Sequence, residues 1–157
     1  MKIKERSLVI IKPDGLQRGL VGEIISRFEK KGLKIIGLKM MRLDEALLLE
    51  HYSHHKDKPF FKDLARFMSS SPVIVLCLEG LNVVSAVRLI CGVTKSSEAE
   101  PGSIRGDLAI STAYNVVHAS DSVETAEKEI KRFFKQDELY EYDKAEYLYV
   151  YAEDERK

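Results

Sequence analysis

Runs rich in β-branched residues alternate along the chain with stretches whose apolar residues recur every three or four positions. Leu8-Val9-Ile10-Ile11 reads as a buried strand that stops at the turn sequence Lys12-Pro13-Asp14-Gly15. Val21 to Lys31 follows as a helix, with Val21, Ile24, Ile25 and Phe28 on one face and Gly32 just past its end. Leu33 to Met41 is a second strand. Asp44 suits the N-cap of a helix running through His51, and Phe60 to Met68 is another short helix. Val73 to Leu78 is a third strand, and Val83 to Ile90 a helix that ends near Gly92. A polar stretch from Val93 to Ala113 shows no periodicity. Val116 to Ala119 is a fourth strand, and Asp121 with Glu124 has the spacing of a capping box for a helix through Phe134. The tail from Glu138 to Lys157 holds five of the seven tyrosines and takes no assignment from pattern.

The order β-α-β-α-α-β-α-β-α makes an α/β sandwich. Periodicity alone leaves two architectures open, a doubly wound parallel sheet and a ferredoxin-like antiparallel one. The stretch from Val93 is longer than the roughly 12–15 structureless residues usual inside a compact domain, and such loops are commonly functional.

Composition narrows the class. A chain of 157 residues, 45% hydrophobic and 32% charged, fits one globular domain, and no repeat or linker divides it. Lys and Arg number 25 against 25 Asp and Glu, so net charge gives no attraction to nucleic acid or to an anionic membrane. No apolar run approaches the ~18–20 residues that span a bilayer. The charged segment Met1–Arg6 leads straight into a strand, unlike a signal peptide. Cys77 and Cys91 lie in apolar stretches and read as buried thiols, which suits a cytoplasmic protein.

Several nucleotide and hydrolase signatures are absent: no Walker A loop, no Gly-x-Gly-x-x-Gly and no Gly-x-Ser-x-Gly elbow. His51, His54 and His55 cluster, and His51 and His55 would share a face of a continuing helix, like a zinc pair. Tyr52 stands where a metalloprotease needs a carboxylate, so exposed imidazoles near a helix C-terminus are the simpler reading. Asn115-Val116-Val117-His118-Ala119-Ser120-Asp121 puts a single histidine near a strand end, followed by small and polar residues, where α/β sheets often carry active sites. A core histidine with a satisfied hydrogen bond fits that segment equally well. Lys12, Arg88 and Arg105 each read singly as solvated charges, and Glu129 as part of the charged run Glu127-Lys128-Glu129.

Taken together these segments change the picture. Val9 through Gly15, Lys58-Pro59-Phe60-Phe61, Glu79 through Val84, Pro101-Gly102-Ser103-Ile104-Arg105-Gly106-Asp107 and Asn115 through Asp121 make the chain similar to the nucleoside diphosphate kinase family over nearly its whole length. The resemblance implies a ferredoxin-like βαββαβ fold (α/β, more strictly α+β). Its antiparallel four-stranded sheet would have helices on one side and a helical hairpin inserted between strands two and three, with the chain as a single domain, residues 1–157. It also implies reversible, ping-pong transfer of a terminal phosphoryl group from a nucleoside triphosphate to a diphosphate through a phosphohistidine.

By this resemblance His118 matches the nucleophile, Glu129 the carboxylate holding the other ring nitrogen, and Ser120 a hydroxyl bonding that carboxylate or the ring. Lys12, Arg88 and Arg105 match phosphate-binding cations, and Thr94 supplies a hydroxyl. Tyr52, His55 and Asn115 match other positions lining the nucleotide site. Phe60 matches the residue on which the base stacks, with Leu64 one turn on; Thr112 stands at a base-side position usually apolar and β-branched, and Ala119 replaces a glycine. Magnesium would arrive on the nucleotide with no direct protein ligand, Asp121 reaching its water shell, although Asp121 serves equally as a helix cap.

Expected partners are ATP, GTP and other nucleoside tri- and diphosphates, deoxy forms included. No membrane and no dedicated nucleic-acid site are expected. A homo-oligomer is expected, a hexamer in preference to a tetramer, because a loop of 21 residues carrying Thr94, Arg105 and Thr112 would be ordered by packing against neighbouring subunits. An RNA-binding module would want exposed aromatics on its central strands, and these are aliphatic; a ligand-sensing regulator would not need His118 with Lys12, Arg88 and Arg105.

Overall fold

The computed structural model describes residues 5–156, so the first four residues of the Met1–Arg6 segment and the terminal Lys157 lie outside the described residues. Strand β1 spans Glu5–Ile11. The Lys12–Gly15 segment, expected as a turn, opens the short helix α1, Pro13–Gln17, because Pro13 at the first helical position has its φ already set and lacks only an N–H that would have had no partner. Helix α2 (Val21–Lys30), strand β2 (Lys34–Met41), helix α3 (Glu45–His51), helix α4 (Phe61–Ser69) and strand β3 (Val73–Gly80) fall within a residue or two of the expected bounds. Asp44 caps α3, its Oδ1 accepting from Leu47 N at 2.8 Å.

Helix α5 covers Val83–Cys91. The stretch after it is not structureless: Ser96–Glu98 forms a 3-10 turn and Ile104–Leu108 the helix α6, whose cap Ser103 accepts from Gly106 N at 3.0 Å. One and a half turns are too short to display a helical period, so the pattern along the sequence did not reveal α6. Strand β4 is Val117–Ala119 and helix α7 Val123–Phe133. The expected cap Asp121 is corrected to Ser122, which has extended backbone and takes Thr125 N on its hydroxyl at 3.1 Å. In the tail, Tyr147–Val150 and Glu153–Arg156 form α8 and α9.

The sheet order is β2-β3-β1-β4, antiparallel throughout, in the ferredoxin-like arrangement. Val9, Ile11, Leu76 and Leu78 face α2 and α5 through Ile24, Phe28, Val83 and Val87. Their alternates Leu8, Ile10, Val75 and Cys77 face Leu48, Tyr52, Met68, Ile130 and Phe133. Helices therefore cover both faces rather than one. The crossover helices take one face; α7 and the α3–α4 hairpin take the other, which is why β3 reads as an unbroken apolar run and is buried from end to end. Both cysteines are free and buried, and burial pushes each thiol up to about 12. The tyrosine-rich tail lies along β2, Tyr140 N donating to Ile36 O and Tyr142 Oη to Ile35 O.

Candidate active site

His118 lies on β4 directly opposite Ile10 of β1, so its side chain belongs to the sheet face that α7 crosses. On α7 the buried residues Ala126, Glu129, Ile130 and Phe133 form one stripe, while Glu127 and Lys128 are exposed. Helical spacing thus takes Glu129 out of its charged run and aims it at β4. Its Oε2 lies 2.7 Å from His118 Nε2, and its Oε1 accepts from Ser120 Oγ at 2.6 Å. The Ser120 hydroxyl in turn accepts from Leu8 N at 3.1 Å, tying the carboxylate to the strand backbone. Burial works against the Glu129 charge and is the largest single influence. The His118 and Ser120 hydrogen bonds, with the neighbouring imidazoles, outweigh it and hold the carboxyl below its ordinary range. An ionised Glu129 accepts a proton bond from Nε2–H, so Nδ1 is the ring nitrogen that carries the lone pair.

A second histidine sits against this pair. His51, the last residue of α3, is not an exposed imidazole: it is 6% exposed, and its ring meets that of His118 edge-on at 4.6 Å. Arg132 on α7 donates from Nη1 to His51 Nδ1 at 2.9 Å. Sequence reading missed both residues, since a histidine in a His-rich run and an arginine in a helix's last turn each pass for surface groups. The zinc pair of His51 with His55 does not form, because α3 ends at His51 and His55 lies in a separate 3-10 turn. Ligand-type atoms of His51, His118 and Glu129 do lie within 4.8 Å of one another. The Arg132 guanidinium on His51 Nδ1 sets a fixed positive charge there, which disfavours a cation.

Two cationic side chains, Lys12 and Arg105, line the same cleft. Lys12, just beyond β1, donates from Nζ to Asn115 Oδ1 at 2.8 Å, and Asn115 Nδ2 donates to Thr94 O at 3.0 Å. Burial first, and then the charge of Arg105, lower the Lys12 ammonium to about 8, with Asp14 opposing. Arg105 is 7% exposed and donates to three backbone carbonyls: Gly92 O at 2.6 Å, Val117 O at 2.6 Å and Asn115 O at 3.3 Å. Arg105 thus fastens the middle of the long stretch after α5 to β4 and to Gly92. Val116 joins these contacts at φ +61°, with Val117 N bonded back to Asn115 O at 2.8 Å in a γ-turn. A β-branched residue there is strained by about 1–3 kcal/mol. The Val116 N–H bond to Asp14 Oδ2, at 3.0 Å, helps hold it.

Lys12, Tyr52, Arg105, Asn115, His118 and Glu129 line the inner part of one cleft of about 1360 Å³. Arg88, Thr94, Thr112, Leu64, His55, Phe60 and Asp121 line its outer part, and Ser120 alone of the expected residues lies behind the wall, on Glu129. Phe60 is 48% exposed with the His55 ring edge-on at 5.2 Å. The cleft thus offers a backed imidazole at its floor, cations beside it and an open aromatic face at its mouth, which is a set of parts for phosphoryl transfer.

Comparison with known proteins gives the same direction. Residues 5–139 match the family model described as nucleoside diphosphate kinase. A nucleoside diphosphate kinase of Parabacteroides distasonis is 53% identical over 151 residues, 96% of this chain and 99% of the relative. Nucleoside diphosphate kinase A of Mus musculus is 49% identical over the same shares of each chain. Among solved structures, a halophilic nucleoside diphosphate kinase from Halobacterium salinarum in complex with CDP superposes with a TM-score of 0.93 at 45% identity, covering 95% of this chain and 99% of that one.

Proposed function

Because the chain belongs to the nucleoside diphosphate kinase family, and its activity is therefore phosphoryl transfer from a nucleoside triphosphate to a nucleoside diphosphate, we propose that His118 Nδ1 carries the group between the two. The observation behind this reading is the Glu129–His118 contact at 2.7 Å, backed by Ser120, which fixes the Nε2–H tautomer. The Nδ1 lone pair attacks the terminal phosphorus of the donor. The bond from that phosphorus to the bridging oxygen breaks, and the diphosphate leaves with the electron pair. Phosphorylation makes the imidazole cationic, and the carboxylate at Nε2–H offsets that charge. In the second half-reaction a terminal oxygen of the acceptor diphosphate attacks the same phosphorus and frees the histidine.

Lys12, Arg88 and Arg105 take charge on the phosphate oxygens, and Thr94 and Asn115 fix the polar end of the nucleotide. The protein's share at that end is cationic, which suits magnesium carried in by the phosphates rather than a carboxylate cage; Asp121 would hold its water shell. Bound magnesium would supply charge neutralisation to the phosphate end of the nucleotide. Phe60 stacks the base, with Leu64 one turn on beside it, without reading its edges, so purine and pyrimidine nucleotides, ribo and deoxy, all serve. Tyr52 packs beside the nucleophile, with burial and the Glu129 charge keeping its hydroxyl neutral.

We further propose that residues 1–157 act as one domain, in the cytoplasm, as a homohexamer. No helix among the described residues is long and apolar enough to cross a membrane. Exposed Leu38 and Met40 on the edge strand β2, with Leu89 on α5, support self-association.

The test is to incubate the enzyme with γ-labelled ATP. Label on protein that is acid-labile, is discharged by both GDP and CDP, and is lost in His118→Asn is the expected result. Equal labelling and exchange by His118→Asn would end the assignment of the nucleophile.

A further inference from the structure

Glu129 Oε2 has two imidazoles within reach, not one. His118 Nε2 stands at 2.7 Å, and His51 Nδ1 at 3.6 Å. Were the His51 ring proton on Nδ1, it would be a second N–H donor competing for the oxygen that orients the nucleophile. Arg132 occupies that position instead. A guanidinium has donors and no acceptor, so its contact at 2.9 Å obliges His51 Nδ1 to accept. The proton of a neutral His51 is then on Nε2, a buried atom without a hydrogen-bond partner. Arg132 is steadied by Glu50, whose Oε1 lies 3.4 Å from its Nε.

We propose that Arg132 and His51 form a positioning pair for the nucleophile: the guanidinium holds His51 as a neutral Nε2–H imidazole, and this reserves Glu129 for His118. The role rests on the reading of His118 as the nucleophile, and neither Arg132 nor His51 makes or breaks a bond in it. The groups facing His51 are His118 from β4, Glu129, Arg132 and Phe133 from α7, and Tyr52 and His54 beside it in sequence. Burial foremost, then His118, Arg132 and His54, lower its imidazole to about 3, with Glu129 opposing. Without Arg132, Nδ1 is free to carry the ring's single proton and donate it to Glu129, while burial, the largest influence, still keeps the imidazole neutral. That tautomer would divide the carboxylate between two N–H donors and loosen its hold on His118 across this pH range.

The experiment follows the first half-reaction, labelling by γ-labelled ATP, as kcat/KM from pH 5.5 to 8. Relative to wild type, Arg132→Met is expected to lose about tenfold across that range. Arg132→Met/His51→Phe, which has no N–H donor at residue 51, should recover most of that loss. Full activity in Arg132→Met, or an equal loss in the double variant, would overturn the proposal. Nitrogen-15 NMR of the wild-type imidazoles decides the matter even if Arg132→Met fails to fold. His51 should show a protonated Nε2 and a bare Nδ1 at pH 7, unchanged down to pH 5. A protonated Nδ1, or titration in that window, would overturn it. An unlabelled wild-type enzyme would instead refute the nucleophile reading, while the His51 tautomer stayed readable.

Discussion

On the inner wall of the cleft, Glu129 is 4% exposed and both its oxygens are bonded, Arg105 is fastened to three carbonyls, and Asn115 bridges Lys12 to Thr94. On the outer part, Phe60 and Thr112 are exposed, Arg88 projects from α5, and His55 meets Phe60 only edge-on. The first region is set before a substrate arrives; the second is left to adapt. That division fits a reaction in which the phosphates are always the same and the base is not. Transition-state positioning tolerates little slack, whereas a stacked base needs only a flat apolar face.

The comparison can be broken by exchanging one cation in each region. Arg105→Met strands three buried carbonyls and should lower stability by about 2–4 kcal/mol. Arg88→Met, on an exposed site, should stay within about 0.5 kcal/mol. Urea midpoints for the two variants give the answer. Equal midpoints would mean that the inner wall is not fastened by Arg105 at all.

Phe60→Ala sharpens the other side. Loss of stacking should weaken every nucleotide by roughly 1–3 kcal/mol in KM, with kcat less affected and purines and pyrimidines alike. Steady-state kinetics with ADP, GDP and CDP as acceptors tests this. A loss confined to one base would show that the outer part reads base edges, with the Thr112 hydroxyl as the first suspect.

The same contrast explains what was legible in the sequence. Strands and amphipathic helices announce themselves by period, and Asp44 by its place before a helix. By contrast, the Glu127-Lys128-Glu129 run looks uniformly solvated until α7's packing picks out Glu129. His51 was hidden the same way, because its burial comes from α7 closing over the end of α3, a contact 81 residues away in sequence with Arg132. Val116 at φ +61° could not be foreseen, since a β-branched residue argues for strand there. Site positions such as Lys12 and His118 came from resemblance to a family; local pattern left each of them an ordinary surface or core residue.

Lys12 belongs to both regions, half-buried at the inner wall yet a cation below pH 8, and its titration should separate structure from function. Its ammonium is lowered from 10.5 to about 8, by burial above all. Below pH 8 it is a cation in the free enzyme, and above it becomes neutral. If Lys12 holds phosphate as a cation, kcat/KM falls up to tenfold per pH unit above 8, while the limb in kcat lies higher because bound phosphate holds the proton. Stability runs the other way. The folded chain binds fewer protons at Lys12 than the unfolded one between about 8 and 10.5, so folding is penalised in full below pH 8 and released as the pH rises through that window. Wild type should therefore gain stability relative to Lys12→Met between pH 8 and 10.5 while it loses kcat/KM, and Lys12→Met, already less active, should show no such alkaline limb. A wild-type kcat/KM that stays level to pH 10 would mean that the charge of Lys12 does not hold the phosphates, and the cationic grip would fall to Arg88 and Arg105.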